Sequence, residues 1–368
     1  FGELCDEWID KGFFVLKFYQ DDPVSDDDWA VVLVDDRIPC TRDEYGRPFP
    51  AFARNPDPNV FWAMIIEKAY AKMVGSYEAM QGGTVTQGLE DFTGGIGYKF
   101  DLEKKEKDWI PPKGSDPDRL WHELLEKMMT EHVVGCANNT KGQERPQSTK
   151  KGILLNRAYA VVTAGEFEDH RLMKMRIPLN EDGSATEWNG RWADGSPQWN
   201  NRLRQMLSYS NDESDGTFWM EYKDLCRHFN KVYMCRMLDD LWTRVTVKSR
   251  WMDETAGGCT NFISWRNNNQ WLLTVSRPNT KLVIQLSQPD ARKSSGNGRH
   301  FSNAIGFYIL KGNDPNASKD EKRRKLICKD GDWDDEEDPG DFVFTKEPRF
   351  SKKVITEYTF EEASTIPY

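Results

Sequence analysis

The sequence predicts an α+β protein in which a region of mixed helices and strands is followed by an all-β sandwich. Before residue 243, short strand patterns occur together with two amphipathic helix patterns, which is typical of α+β folds. From Thr243 onward, apolar and polar residues alternate in short segments, which is typical of paired strands. The chain has 368 residues, enough for two to three domains with their own buried cores.

The first elements are predicted to be two strands and a helix. Phe13–Phe18 and Trp29–Val34 have strand patterns, and the acidic loop Asp21–Asp28 joins them. Asn59–Val74 carries apolar residues near helical spacing. Gly75 is expected to stop that helix, because glycine readily adopts the left-handed conformation that ends helices.

A charged segment is predicted to link this region to the next. Lys104–Asp118 contains Pro111-Pro112 and is expected to be irregular. The amphipathic segment Asp118–Met129 then predicts a second helix. The strand patterns that follow predict an antiparallel sheet, and they are Val133–Cys136, Ile153–Leu155, Arg157–Thr163, Leu172–Ile177 and Arg236–Leu238.

The last third of the chain has the pattern of a β-sandwich. Its predicted strands are Thr243–Val247, Trp271–Val275, Lys281–Leu286, Ile305–Leu310 and Lys353–Phe360. Two charge runs lie between the last two of these strands: the largely basic Lys319–Lys325 and the acidic Asp330–Asp341. Such runs are typical of solvated loops, and less often they serve as docking surfaces, here for a basic partner.

Composition excludes several classes of function. The net charge of −10 and the isoelectric point near 5.2 argue against nucleic acid as the main partner. Seven cysteines without Cys-x-x-Cys spacing indicate reduced intracellular thiols, not a disulfide framework or a zinc site. We find neither a signal peptide nor a transmembrane segment in the sequence.

Several longer segments resemble one family, the calpain cysteine proteases. The resemblance covers most of the chain, and the segments that carry it are Trp29–Pro39, Phe61–Lys72, Gly88–Gly95, Asn156–Val161, Glu187–Asn200, Asp215–Phe229 and Thr255–Phe262. It implies a papain-like calpain protease core with a truncated first half, followed by a C2-like calpain sandwich. The implied domains are 1–105, the remnant of the first core domain; 106–242, the second core domain; and 243–368, a sandwich incomplete at its C-terminal edge.

The resemblance also identifies two altered catalytic positions. Arg157 stands where calpains carry the catalytic histidine, and Ile177, twenty residues later, stands where they carry the asparagine. In a Cys-His-Asn site the imidazole takes the thiol proton and returns it to the leaving amine. Arginine stays protonated and only donates hydrogen bonds, while isoleucine has no polar atom with which to orient a partner. The sequence therefore predicts a degenerate site.

The nucleophile of the family lies in a Gly-x-Cys-Trp segment. That segment would fall upstream of Phe1, and Cys5 has the wrong neighbours to replace it. We expect that the sequence is cut at both ends, so the parent protein either has this cysteine upstream or never had it. His170, thirteen residues after Arg157, is predicted to be a turn residue and not a relocated base. Structural roles are expected for His122, His132, His228 and His300.

Calcium is the cofactor that the resemblance implies, because calpain core domains bind it through loop oxygens. The ligand positions of the second core domain correspond to Glu187, Asp194 and Asp215, while Thr217 stands where the family often has another acid. In the first core domain Glu90 matches a ligand, and its partner loop would lie upstream. The alternative, an acidic loop that is hydrogen-bonded without metal, stays open and is slightly favoured.

Three functions are compatible with this reading. The first is a catalytically inactive, calpain-like binding or structural module with protein partners. The resemblance suggests a cytoplasmic protein associated with the cytoskeleton or with a cilium, at the axoneme. The second is a calcium-dependent cysteine endopeptidase with an atypical active site. The third is a regulatory pseudoenzyme that binds calcium or peptide in the old cleft without cleaving.

Overall fold

A computed structural model of the protein describes residues 6–20, 28–55, 57, 59–81, 83–102, 118–129, 132–140, 148–177, 186–209, 216–238, 241–289, 303–310, 342–361 and 364–367. The chain divides into two compact units. The first contains Phe1–Gln20 and Trp29–Thr243, and the second contains Asp21–Asp28 and Arg244–Tyr368. No helix in these described ranges has both the length and the hydrophobicity needed to cross a membrane.

The first unit contains helices and strands in mixed order. Its described helices are α1 (Asp6–Ile9), α2 (Trp62–Val74), α3 (Val85–Thr93), α4 (Arg119–Met129), α5 (Asn201–Met206) and α6 (Tyr222–His228), with a 3-10 turn at Ala79–Gln81. Its described strands are β1 (Phe13–Tyr19), β2 (Trp29–Asp35), β3 (Cys40–Arg42), β4 (Pro48–Pro50), β5 (Ile96–Asp101), β6 (His132–Ala137), β7 (Ala158–Phe167), β8 (His170–Arg176), β9 (Thr217–Glu221) and β10 (Lys231–Arg236).

Strands β1 and β2 form an antiparallel pair that packs on α2. The period of two places alternate side chains of β2 against the helix, so Val32 and Val34 are buried while Val31 and Leu33 are exposed. The core between the pair and the helix contains Leu16, Phe18, Val32, Val34, Ile65 and Ala69. Helix α2 ends at Val74, where Gly75 has φ 118° and donates its N–H to the carbonyl of Ala71 at 2.9 Å.

The main sheet of this unit has six antiparallel strands in the order β5-β10-β6-β7-β8-β9. One face, the inner face, forms the largest core together with α4 and α6. This core includes Trp121, Leu124, Cys136, Tyr159, Met173, Met175, Ile177, Phe218, Leu225 and Met234. The other face, the outer face, is covered in part by α3: a Cβ on Gly135 of β6 would lie 3.8 Å from Val85.

A second cluster covers the far end of the outer face. This cluster has three tryptophans and two leucines, and these are Leu172, Trp192, Trp199, Leu203 and Trp219. Leu172 and Trp219 come from β8 and β9, and their neighbours Met173 and Met220 face the inner core, as strand alternation requires. The outer face is therefore covered by α3 at one side and by this aromatic cluster at another.

The second unit is built from three antiparallel strand pairs. Its described strands are β11 (Leu272–Val275), β12 (Thr280–Ser287), β13 (Ile305–Leu310), β14 (Phe342–Arg349), β15 (Lys353–Phe360) and β16 (Ser364–Pro367). The pairs are β11 with β16, β12 with β15 and β13 with β14. Val275, Ile309 and Phe360 form the centre of their shared core. Two 3-10 helices, Asp253–Thr255 and Ile263–Asn267, precede the first strand.

Most predicted elements are confirmed, with small shifts. The strand pairs at Phe13 and Trp29, the helix before Met129 and the strands at Lys281, Ile305 and Lys353 all form. The first long helix was predicted from Asn59 but begins at Trp62. The side chain of Asp57 accepts the N–H of Asn59 at 2.9 Å, which holds this segment in a turn outside the helix.

Three predicted strands are wrong. Ile153–Leu155 forms only an isolated bridge between Leu154 and Ser148. Thr243–Val247 is irregular and exposed, because alternation alone supplies no partner strand for its backbone hydrogen bonds. The strand predicted at Arg236–Leu238 is instead β10, which ends at Arg236. Its residues from Val232 onward are buried on both faces, and such a central strand lacks the alternation that marks a half-exposed one.

The predicted linker Lys104–Asp118 and the two charge runs lie almost entirely outside the described residues. The predicted acidic loop Asp21–Asp28 does so too, except for its last residue. Residues 96–101, which fall within the range 1–105 predicted for the first core domain, form β5 and pair with β10. This places an edge strand of the six-stranded sheet before the linker.

Candidate functional site

Arg157 lies directly before β7 and is exposed to solvent. The preceding loop is held by Asn156, whose φ of 56° is in the left-handed region that asparagine tolerates. Asn156 donates its N–H to the carbonyl of Asn138 at 2.8 Å and accepts the N–H of Thr140 on its side chain at 2.8 Å. The backbone entering β7 is therefore fixed, while the guanidinium of Arg157 makes no ion pair with any described residue.

Ile177 directly follows β8 and is buried. Its backbone N–H donates to the carbonyl of Gly216 at 2.9 Å, and its side chain is only 1% exposed within the largest core. Position 177 therefore contributes apolar packing and no hydrogen bond from its side chain.

The pairing of β7 with β8 brings these two positions to the same end of the sheet. Ala160 is opposite Arg176, so the start of β7 and the end of β8 are neighbours. A base at position 157 and an orienting amide at position 177 would belong at this end. Instead, the two side chains there are an exposed cation and a buried hydrocarbon, and neither can accept a proton from a thiol.

One buried thiol, that of Cys136, lies at this end of the sheet, because Cys136 pairs with Tyr159 of β7. Cys136 of β6 is fully buried, and burial raises its pKa well above the usual value. His132 begins the same strand, four residues earlier, which places it roughly 13 Å away at the ordinary rise of a strand. It accepts the Nε–H of Arg236 on its Nε2 atom at 3.3 Å. Cys136 and His132 are therefore not hydrogen-bonded to each other.

His170 lies at the opposite end of β7 and β8. A tight turn at Glu168 and Asp169, both with positive φ, joins the two strands and pairs His170 with Phe167. The Nδ1 atom of His170 is 3.5 Å from Oε1 of the buried Glu221. The ten residues of β7 separate it from Arg157 by roughly 33 Å. His170 is therefore too far away to replace the base at position 157.

The predicted calcium ligands are not brought together by the described residues. Glu90 of α3 is 4% exposed, and its Oε1 accepts the N–H of Gly97 at 3.1 Å. Oε1 of Glu187 accepts the N–H of Gly216 at 2.8 Å. Asp194 lies beside the hydroxyl of Tyr209, whose pKa is raised by burial first and by Asp194 in addition.

Asp215 lies outside the described residues. Across the described ranges, no three carboxylate, imidazole or thiol groups are grouped so that they could hold a metal ion. The part of the set that is described therefore does not form a calcium site by itself, and each placed carboxylate is at least partly used by the protein.

Two further cations lie on β8, the neighbour of β7, and the sequence alone did not identify them. Lys174 and Arg176 are alternate residues of β8, so both side chains lie on the outer face of the sheet. In the sequence, the indication was that these two basic residues are two positions apart within a predicted strand. That spacing became informative only once the neighbours of β8 were known.

Comparison with known proteins supplies the remaining evidence. Residues 6–236 match the model of the calpain family cysteine proteases, and residues 247–335 match that of calpain large subunit domain III. The chain is 35% identical over 320 residues to calpain-type cysteine protease DEK1 of Zea mays, covering 84% of this chain and 14% of that protein. It is 32% identical over 321 residues to calpain-9 of Rattus norvegicus, covering 81% of this chain and 43% of that protein.

A third relative is the calpain-2 catalytic subunit of Homo sapiens. It is 30% identical over 299 residues, which is 77% of this chain and 38% of the relative. The chain thus spans less than half the length of each of these three relatives.

Proposed function

Because the chain belongs to the calpain family of cysteine proteases, we propose that it is a catalytically inactive member that acts as a binding or structural module. The observation that carries the proposal is the pair of residues at the end of β7 and β8. Arg157 is exposed and permanently charged, and Ile177 is 1% exposed in the core. An arginine there cannot cycle a proton between a thiol and a leaving amine.

The proposed architecture is a papain-like calpain core followed by a C2-like sandwich. The six-stranded antiparallel sheet with α4 and α6 on its inner face supports the first part. The three strand pairs of the second unit and the match to domain III support the second part. The proposed domains are 1–105, 106–242 and 243–368. Strand β5 lies within the range 1–105 but is part of the sheet of the domain 106–242.

The alternative is a calcium-dependent cysteine endopeptidase with an atypical site. The family match and the names of the relatives favour it, because both describe cysteine proteases. This alternative needs a nucleophilic cysteine and a base from residues other than 157. The third function is a regulatory pseudoenzyme that binds peptide in the old cleft without cleaving it, or binds calcium through Glu187, Asp194, Asp215 and Glu90.

Partners and location are proposed on resemblance alone. We propose protein partners, among them cytoskeletal or axonemal assemblies in the cytoplasm, and no nucleic acid. The net charge of −10 supports the last point, because a polyanion is repelled by an acidic protein.

Proteolysis assays test the proposal. The 368-residue chain should not cleave casein or spectrin, with or without calcium, because Arg157 cannot act as a base. Calcium-dependent cleavage that a thiol-directed inhibitor blocks would overturn the proposal. A longer form carrying Arg157→His with Ile177→Asn should gain activity only where that form also has a nucleophilic cysteine.

Calcium titration by calorimetry separates the first function from the third. Saturable heat on calcium addition would favour the calcium-binding pseudoenzyme if Glu187→Gln and Asp194→Asn each lower the calcium affinity at least tenfold. Heat that is unchanged in these variants, or no saturable heat, would favour a hydrogen-bonded acidic loop.

A further inference from the structure

Part of the outer face of the six-stranded sheet is open to solvent. On β7 the exposed residues are Ala158, Ala160 and Val162, and on β8 the neighbouring residues are Lys174 and Arg176. We call these five residues the trough. Helix α3 covers the sheet at the side of β6, where Val85 lies over Gly135. The aromatic cluster of Leu172 and Trp219 covers the far end of β8 and β9.

The floor of the trough is made of small side chains. Ala158 and Ala160 of β7 are exposed, whereas their partners Ala137 and Gly135 on β6 are buried, so the small exposed positions belong to β7. An extended peptide laid along β7 would contact these two alanines and then Val162, the largest side chain of β7 in the trough.

The wall along β8 carries two cations that pair with no carboxylate of the described residues. The residues beside Arg176 on the neighbouring strands are Ala160 and Thr217, and those beside Lys174 are Thr163 and Trp219. All four are uncharged, although cross-strand positions are where an ion pair would form. Neither Lys174 nor Arg176 makes an ion pair with any residue of the described ranges.

A third basic residue of the same strand shows the contrast. Arg171 pairs with Asp118 at 2.8 Å and with Glu166 at 3.0 Å. Those two carboxylates hold the guanidinium and raise the pKa of Arg171. Among the described residues, β8 therefore has acidic partners at Arg171 and none at Lys174 or Arg176. Arg157, exposed directly before β7, is a third cation that makes no ion pair with the described residues, and it lies at the same end of the sheet.

The spacing of the two cations suggests what they recognise. Alternate residues on a strand are about 6.6 Å apart, and so are alternate side chains of an extended peptide. Carboxylates at alternate positions would each reach one cation, and guanidinium and ammonium groups both bind carboxylates through charged hydrogen bonds. The net charge of −10 makes this local basic surface unusual for the chain.

We propose that the trough binds an extended acidic segment of a protein partner, with glutamate or aspartate at alternate positions facing Lys174 and Arg176. This inference rests on the proposed function, since it describes what the inactive module binds. The bound segment stays intact, because neither position 157 nor position 177 supplies a base.

The test uses the 368-residue chain and dye-labelled peptides in fluorescence anisotropy. The probe carries three glutamates at alternate positions, and two control peptides carry glutamines there or the same glutamates contiguously. We expect saturable binding of the alternating glutamate peptide that weakens with added salt, and at least threefold weaker binding of both controls. Equal binding of the glutamine peptide, or no binding at all, would overturn the proposal.

Matched variants locate the binding. Lys174→Gln with Arg176→Gln should raise the Kd at least tenfold. Lys248→Gln with Arg250→Gln removes two exposed cations at the same spacing in the second unit and should change the Kd less than twofold. Equal losses in both double variants would show charge attraction without a site and would overturn the proposal.

Charge reversal guards against a variant that merely misfolds. The variant Lys174→Glu with Arg176→Glu should no longer bind the glutamate peptide and should bind the corresponding lysine peptide instead. An unfolded chain would not show this selective exchange. Absence of this exchange in a variant with a native circular dichroism spectrum would contradict the proposal. Mass spectrometry of the recovered peptide distinguishes failure of the proposed function from failure of the proposed binding surface. A cleaved peptide would overturn the proposed function, whereas an intact peptide that does not bind would overturn only peptide binding at the trough.

Discussion

At the scale of single residues, positions 157 and 177 have different structural consequences. Arg157 lies in solvent at the entrance of β7, whereas Ile177 is part of the core beneath β8. A histidine at position 157 exchanges one exposed polar group for another. An asparagine at position 177 places an amide among hydrocarbon side chains.

Ile177→Asn should therefore destabilise the fold, while Arg157→His should not. Asparagine loses the burial of the isoleucine and leaves amide atoms without partners, which costs about 3–5 kcal/mol of unfolding free energy. Arg157→His is the matched control and should stay within about 0.5 kcal/mol of the unchanged chain. Denaturant unfolding measures both. Equal stability of the two variants would show that position 177 is not buried as described.

A second residue couples stability to pH. His228 at the end of α6 packs edge-to-face on Trp188, with ring centroids 4.9 Å apart. Burial lowers the pKa of His228 below the usual 6.5; Lys151 and Arg227 lower it further, and Asp224 opposes them.

Because the folded chain disfavours the charged imidazole, His228 contributes stability above pH 6.5 that is lost as the pH falls through its lower folded pKa. The free energy of unfolding should therefore drop less between pH 7.5 and pH 5.5 in His228→Gln than in the unchanged chain. Denaturant titrations at the two pH values give both drops. An equal decrease in unfolding free energy for both proteins would mean that the pKa of His228 is the same in the folded and unfolded chains.

At the scale of elements, the contact of α3 with the outer face of the sheet depends on glycine. A Cβ on Gly97 of β5 would lie 2.1 Å from Cγ2 of Thr86 and 2.8 Å from Oε1 of Glu90. The backbone N–H of Gly97 also donates to that carboxylate. The close approach of helix and strand therefore needs a residue without a side chain.

Gly97→Ala should destabilise the first unit by about 1–3 kcal/mol, because the helix must move away from the strand. Gly88→Ala is the matched control within α3, where an added Cβ meets no atom within 4 Å. It should stabilise by about 0.5–1 kcal/mol, since alanine loses less backbone entropy in a helix. Thermal unfolding of both variants checks this, and a stabilising Gly97→Ala would show that α3 does not lie on β5.

At the scale of the whole molecule, the chain has two units with separate cores. The cores of the six-stranded sheet and of the β1–β2 pair belong to the first, and that of the paired strands belongs to the second. The segment from Thr243 to Met252 has no regular structure, and Val245 is 81% exposed. Exposed irregular backbone is where proteases cut most readily.

Limited trypsin digestion should therefore cut after Arg244, Lys248 or Arg250 and release a fragment that begins in this segment. Replacing all three residues with glutamine should remove these products without changing cleavage elsewhere. Mass spectrometry identifies the ends. An intact segment under conditions that digest the rest of the chain would show that it is protected.

The sequence by itself determined much of this protein. The resemblance of several segments to calpains identified the family, and the matches at residues 6–236 and 247–335 confirm it. Local alternation located strands such as Phe13–Tyr19 and Lys353–Phe360, and helical spacing located α2 and α4. The identities of Arg157 and Ile177 predicted a degenerate site, because what a side chain can do with a proton is a property of its own atoms.

Only the tertiary structure decided the neighbours and the burial of each residue. It showed that β5 joins the sheet through β10, that Thr243–Val247 finds no partner strand, and that Ile177 lies in the core. It also showed that Lys174 and Arg176 face uncharged residues across the sheet. The physical reason is that periodicity and chemistry are local, whereas pairing, burial and the presence of a counter-ion depend on residues distant in sequence.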